Sequence, residues 1–145
     1  MVDFSYVHGY NIHIKSYRKA NTTVSMINCH LIFCPRYRRK IFLIDGVEPR
    51  FKELVAQICE QNDYEIIAME CGKDHCHLFV NVPPTASPHM VMKAIKGPTS
   101  RILRQEYLKL SAMQNLWTRS YFVSSAGAVS SEIIQKYVKS QKTRG

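Results

Sequence analysis

Asp74-His75-Cys76-His77-Leu78-Phe79-Val80-Asn81-Val82 is the stretch on which the reading of this chain turns. A strand sends successive side chains to opposite faces. Cys76, Leu78, Val80 and Val82 then form one apolar face that needs a core. His75 and His77 stand side by side on the other, followed by Phe79 and Asn81. Two neutral imidazoles on one face of a strand can share a metal ion. They can equally be ordinary polar residues on a half-exposed sheet face. The stretch alone leaves both readings open, so the decision has to come from the rest of the chain.

A chain of 145 residues is one ordinary domain with room for a single core. Its apolar runs are far shorter than a bilayer span and its N-terminus lacks a signal-peptide pattern, so no membrane and a cytoplasmic location are expected. The five cysteines are odd in number and contain no Cys-x-x-Cys, which suits a reducing compartment. A zinc site from Cys71, His75 and His77 is conceivable, but no second ligand pair supports it.

A formal net charge of +9 predicts affinity for polyanions. No acidic residue lies between Asp3 and Asp45, whereas Lys15, Arg18, Lys19, Arg36, Arg38, Arg39 and Lys40 all do. Nucleic acid is the expected partner. An anionic membrane surface fits less well, because these cations do not line an apolar helix.

Residues 1–22 lack sustained periodicity and read as an N-terminal extension; 23–145 read as one domain. Val24 to Phe33 is β-rich, with Ile27, Cys29, Leu31 and Phe33 on one face. Pro35 ends it and opens Arg36-Tyr37-Arg38-Arg39-Lys40, cations for phosphates around a ring for stacking. Val47 to Gln61 has helical spacing of Phe51, Leu54, Val55, Ile58 and Cys59. Tyr64 to Cys71 is a second strand, and Gly72-Lys73-Asp74 turns it into the histidine strand.

Ser87-Pro88 is a helix start signal, and a kink or restart is expected at Gly97-Pro98. Thr99 to Leu110 continues helically. Leu116 to Val123 reads as the last strand, and Ser130 or Ser131 caps a final helix to about Lys142. Lys96 and Arg101 on the second helix and Arg119 beyond it are further candidate DNA contacts.

Strand, helix, strand, strand, helix, strand is the α+β ferredoxin-like (RRM-like) pattern, an antiparallel sheet with both helices on one face. The histidine strand is then central, and its histidine face is the one those helices leave open. In the extra C-terminal helix, Tyr137 and Gln141 are four residues apart and share a face. They could stand beside the imidazoles, or be an amphipathic core aromatic and a surface amide.

Taken together, Asp74-His75-Cys76-His77-Leu78-Phe79, Pro35-Arg36-Tyr37-Arg38-Arg39-Lys40, Leu116-Trp117-Thr118-Arg119-Ser120-Tyr121-Phe122 and residues 130–141 resemble the small single-tyrosine transposases of prokaryotic insertion sequences. These belong to the HUH (His-hydrophobe-His) endonuclease superfamily. The resemblance covers about residues 24 to 142. It implies a homodimeric, metal-dependent enzyme that cuts and rejoins hairpin-bearing single-stranded DNA ends.

By the same resemblance, Tyr137 is the nucleophile and His75, His77 and Gln141 are ligands of Mg²⁺ or Mn²⁺. The tyrosine helix can serve the partner subunit's site. Cys76 stands where a larger aliphatic is usual, and Pro98 is a further departure. A non-catalytic nucleic-acid-binding module of the same fold is the alternative from another class. A domesticated relative that cleaves chromosomal repeat hairpins is the alternative among enzymes.

Overall fold

The computed structural model describes residues 17–125 and 139–140, and the backbone of Tyr6–Val7 and Tyr10–Asn11. Its centre is a four-stranded antiparallel sheet of β1 (Ile27–Phe33), β2 (Glu65–Cys71), β3 (Cys76–Val82) and β4 (Phe122–Ser125). Their spatial order is β2-β3-β1-β4, so β3 is central. Helices α1 (Val47–Gln61) and α2 (Pro88–Glu106) supply the second layer, and a short α3 (Leu108–Ser111) follows. This is the ferredoxin-like α+β arrangement read from the sequence.

The alternation in β3 explains where the core lies. Cys76, Leu78, Val80 and Val82 are fully buried, and pack with Leu31 and Phe33 of β1 and Phe51, Val55, Val91 and Ile95 of the helices. The opposite face does not stay half-exposed. His77 and Phe79 of β3 and His30 of β1 are buried too. Part of that cover is their own stacking, with His30 face to face on Phe79 at 4.2 Å and 13°.

Three elements depart from the pattern expectation. The run from Val24 is two strands: Val24–Ser25 pairs with Arg18–Lys19, and only Ile27–Phe33 enters the main sheet. The Arg18–Lys19 ribbon is pinned to the domain. The Arg18 guanidinium donates to the Asn81 side chain at 2.5 Å and to the Asp63 carboxylate at 2.9 Å.

Leu116 to Val123 does not form one strand. Trp117 makes an isolated bridge to Pro35, flanked by Arg36 N–H to Leu116 O at 2.9 Å and Thr118 N–H to Cys34 O at 2.9 Å. Pro35 occupies the position of that bridge that needs no N–H. Trp117 is drawn into the core against Phe33 and Phe51, its indole N–H donating to Thr99 Oγ1 at 3.0 Å. The strand proper starts only at Phe122.

The helix that Ser87 caps, accepting from Met90 N–H at 3.1 Å, runs unbroken through Pro98. An interior proline costs about 3 kcal/mol. Burial of Val91, Met92 and Ile95 before it, and Thr99, Ser100 and Leu103 after it, holds both halves on the core and outweighs that cost. Thr99 Oγ1 also donates to Ile95 O at 2.6 Å, closing the turn around the proline.

Candidate metal and nucleic-acid site

The hairpin from β2 to β3 closes on the Cys71–Cys76 pair, with Gly72 N–H donating to His75 O at 2.8 Å. His75 lies in this turn, at the mouth of β3, rather than within the strand as expected; His77 is inside it. The two rings are nonetheless neighbours, 5.0 Å apart and 85° to each other. Gly72 makes room for the first. A Cβ there would come within 2.7 Å of the His75 ring, which real structures do not tolerate. Gly72→Ala is therefore expected to displace the His75 ring, with DNA affinity retained; the His75 imidazole NMR signals and a gel-shift titration measure the two.

Each imidazole is held through Nδ1. The Asp74 carboxylate accepts from His75 Nδ1 at 2.9 Å, and its other oxygen accepts from Arg38 Nε at 2.5 Å. Asp74 is buried, which by itself raises its pKa. The hydrogen bonds from His75 and Arg38, and their charges, more than reverse this and leave the carboxyl below its usual range. It is thus an anionic acceptor at neutral pH, and it orients His75 from behind. His77 Nδ1 lies 2.9 Å from His30 Nε2, across the sheet on β1.

The same Arg38 joins the basic segment to the histidines. Arg36–Arg38 is a 3-10 turn in which Tyr37 and Arg38 have φ of 56° and 53°. Left-handed backbone at two successive non-glycine residues is strained and is typical of functional turns. Here it sends Arg38 inward to Asp74 and leaves the Tyr37 ring 54 % exposed. Arg36, Tyr37 and Arg39 line a groove of about 310 Å³ with residues 112–115, and Arg36 Nε is buried there without a hydrogen-bond partner. Arg39 and Lys40 are exposed.

The other candidate cations are placed differently. Lys96 donates to Thr118 O at 2.7 Å and lies 5.7 Å over the Tyr121 ring, holding the approach to β4. Burial lowers its pKa from the ordinary lysine value. Arg119, whose carbonyl is 3.5 Å from Lys96 Nζ, and Arg101 on α2 are exposed. Tyr137 and Gln141 lie outside the described residues; Lys139 and Ser140 between them are helical and exposed.

Sequence reasoning missed His30 and Glu70. Both belong to the histidine face, because Glu70 pairs with His77 and His30 with Phe79. Alternation within β1 puts His30 opposite Cys29 and Leu31, but only the strand register brings it to His77. Among the described residues no three His, Cys, Asp or Glu converge as a metal-binding group. Cys71 does not join the histidines; its sulfur is 2.7 Å from that of Cys76.

Residues 23–141 match the family model for "Transposase IS200 like". The chain is 32% identical over 127 residues to the ISDra2 transposase TnpA of Deinococcus radiodurans, covering 86% of this chain and 90% of that protein. It is 32% identical over 120 residues to the transposase for insertion sequence element IS200 of Salmonella typhimurium, covering 79% and 77%. The crystal structure of a putative transposase from Deinococcus radiodurans superimposes with a TM-score of 0.79 at 29% identity, over 86% of this chain and 97% of that one. A REP-associated tyrosine transposase bound to a REP hairpin shares the fold, with a TM-score of 0.54 at 12% identity over 86% of this chain and 68% of that one.

Proposed function

The chain belongs to the IS200-like transposase family, and from that premise we propose that it is a metal-dependent, single-tyrosine transposase acting on single-stranded, hairpin-bearing DNA ends. The observation that carries the reading is the pair of side-by-side imidazoles, each tethered at Nδ1, with Arg38 linking one of them to the basic turn. Pairing at Nδ1 satisfies a buried ring in any fold; what favours the metal reading is that both rings are paired at the same nitrogen and lie side by side.

The donor set suits a divalent cation. Tethering at Nδ1 leaves Nε2 as the nitrogen with which each ring would meet an ion. Glu70, directly across from His77, has a buried Oε2 without a hydrogen-bond partner, an acceptor that a nearby cation would offset. His75, His77 and Gln141 would hold Mg²⁺ or Mn²⁺. When bound, the cation would polarise the scissile phosphate and offset charge in the transition state.

Tyr137 is the proposed nucleophile. Its oxygen bonds to phosphorus as the 3′-oxygen leaves, and the phenolic proton is passed on to that leaving oxygen. The products are a 5′-phosphotyrosine and a free 3′-OH. One phosphodiester replaces another, so a second 3′-OH can later displace the tyrosine without ATP. The exposed ring of Tyr37 offers a stacking platform, while Arg36, Arg39, Lys40, Arg101 and Arg119 offer phosphate contacts. Lys96 would contribute by shaping the segment that carries Arg119. A homodimer, in which the tyrosine helix serves the partner's histidines, completes the proposal.

The test is incubation with single-stranded element ends. A covalent protein–DNA adduct on a denaturing gel is expected with Mn²⁺ or Mg²⁺, is lost on chelation and returns when the ion is restored. An adduct indifferent to chelator would sink the metal half of the reading.

A further inference from the structure

We propose that His30 is a positioning residue that fixes His77 as the Nδ1–H tautomer, so that Nε2 is the nitrogen turned to a divalent cation. The proposal rests on the metal reading above and adds to it a residue in a different strand. His30 and His77 are buried, their facing nitrogens are 2.9 Å apart, their ring planes are inclined at 24°, and their centroids are 5.1 Å apart, a span that places both nitrogens on the line between the rings. That is the arrangement of an in-plane N–H···N hydrogen bond. Phe79 clamps the face of the His30 ring at 4.2 Å, and Phe122 meets it edge-on at 6.0 Å.

Between two neutral imidazoles such a bond contains one proton, and its side decides the chemistry. If His30 were the donor, His77 would carry its own proton on Nε2 and that atom could not bind metal. With His77 donating, His30 Nε2 accepts and His77 Nε2 keeps a lone pair. Asp74 performs the corresponding service for His75, but as an anion tied to Arg38. At His77 the acceptor is instead a neutral imidazole, which is buried with His77 and carries no charge to desolvate.

The tautomer is read directly, in metal-free protein at about pH 8, above the ordinary imidazole pKa, from long-range ¹H–¹⁵N spectra of ¹⁵N-histidine-labelled protein. The expected result is Nδ1–H for His77 in the wild type. In His30→Phe the Nε2–H form should appear, with Mn²⁺ affinity down about tenfold or more by calorimetry and hairpin-DNA affinity unchanged. His30→Gln, which keeps an acceptor, should hold Mn²⁺ within about threefold of wild type, and replaces His30→Phe as the informative variant if the latter melts early. His77 protonated at Nε2 in the wild type, or undiminished Mn²⁺ affinity in a folded His30→Phe, would overturn the proposal. Wild type that takes up no Mn²⁺ overturns the metal reading itself, while the His77 tautomer still decides the positioning role.

Discussion

Tyr137→Phe is expected to bind hairpin-bearing single-stranded DNA as wild type does and to form no covalent adduct with it. The substitution removes one oxygen and leaves the ring, so DNA binding should be conserved while the proposed attacking atom is gone. An unperturbed phenol has a pKa near 10, so about one molecule in a thousand is phenolate at neutral pH. The reaction therefore depends on where the phenol is held and on what charge faces the phosphate. Loss of a group that acts as part of a unit costs on the order of 10⁴-fold or more in rate. Labelled DNA shifted on a native gel, with no labelled protein band after denaturation, is the expected pattern. A persistent band would mean another nucleophile, and the assignment of Tyr137 would fall.

The ferredoxin-like order was legible because each element announces itself locally. Alternation in Cys76-His77-Leu78-Phe79-Val80-Asn81-Val82 separates two faces, and the apolar one is the buried core. Ser87-Pro88 starts its helix where capping rules place it. What went astray involved competition between local preference and tertiary packing. Leu116-Trp117 has strand-like composition, but the indole gains more by entering the aromatic core beside Phe33 and Phe51 than by extending β4. Pro98 should break a helix, but both flanking turns are anchored by buried side chains.

The candidate site was legible in its parts and not in its wiring. His75 and His77 declare themselves by spacing, and Arg36 to Lys40 by charge. The Asp74 carboxylate could equally have capped the turn; its hydrogen bond to His75 gives it the orienting role. The Arg38–Asp74 pair depends on left-handed backbone at Tyr37 and Arg38, which no residue type there advertises. The His30–His77 bond depends on register across β1 and β3, and a single sequence does not display register.

Replacing the histidines separates a metal site from a merely structural pair, and it also tests the rival reading of a non-catalytic nucleic-acid-binding module. His75→Ala and His77→Ala are each expected to lower adduct formation by about 10²- to 10⁴-fold, the equivalent of several kcal/mol of transition-state stabilisation. DNA affinity should stay within about threefold, because the basic turn and the exposed arginines are untouched. The stability cost should differ between the two. His77 is buried and bonded to His30, so truncation strands a buried ring nitrogen and costs about 1–3 kcal/mol. The His75 side chain is 25 % exposed at the edge of a turn, and its loss should move the melting temperature less. A structural role would make catalysis and binding follow stability, with His77→Ala the worse in all respects. A shared metal predicts comparable catalytic losses despite unequal melting temperatures. Parallel gel-shift, adduct and thermal-melt measurements on the two variants decide between these patterns. Equal loss of binding and adduct formation would leave the module reading standing and the metal site without support.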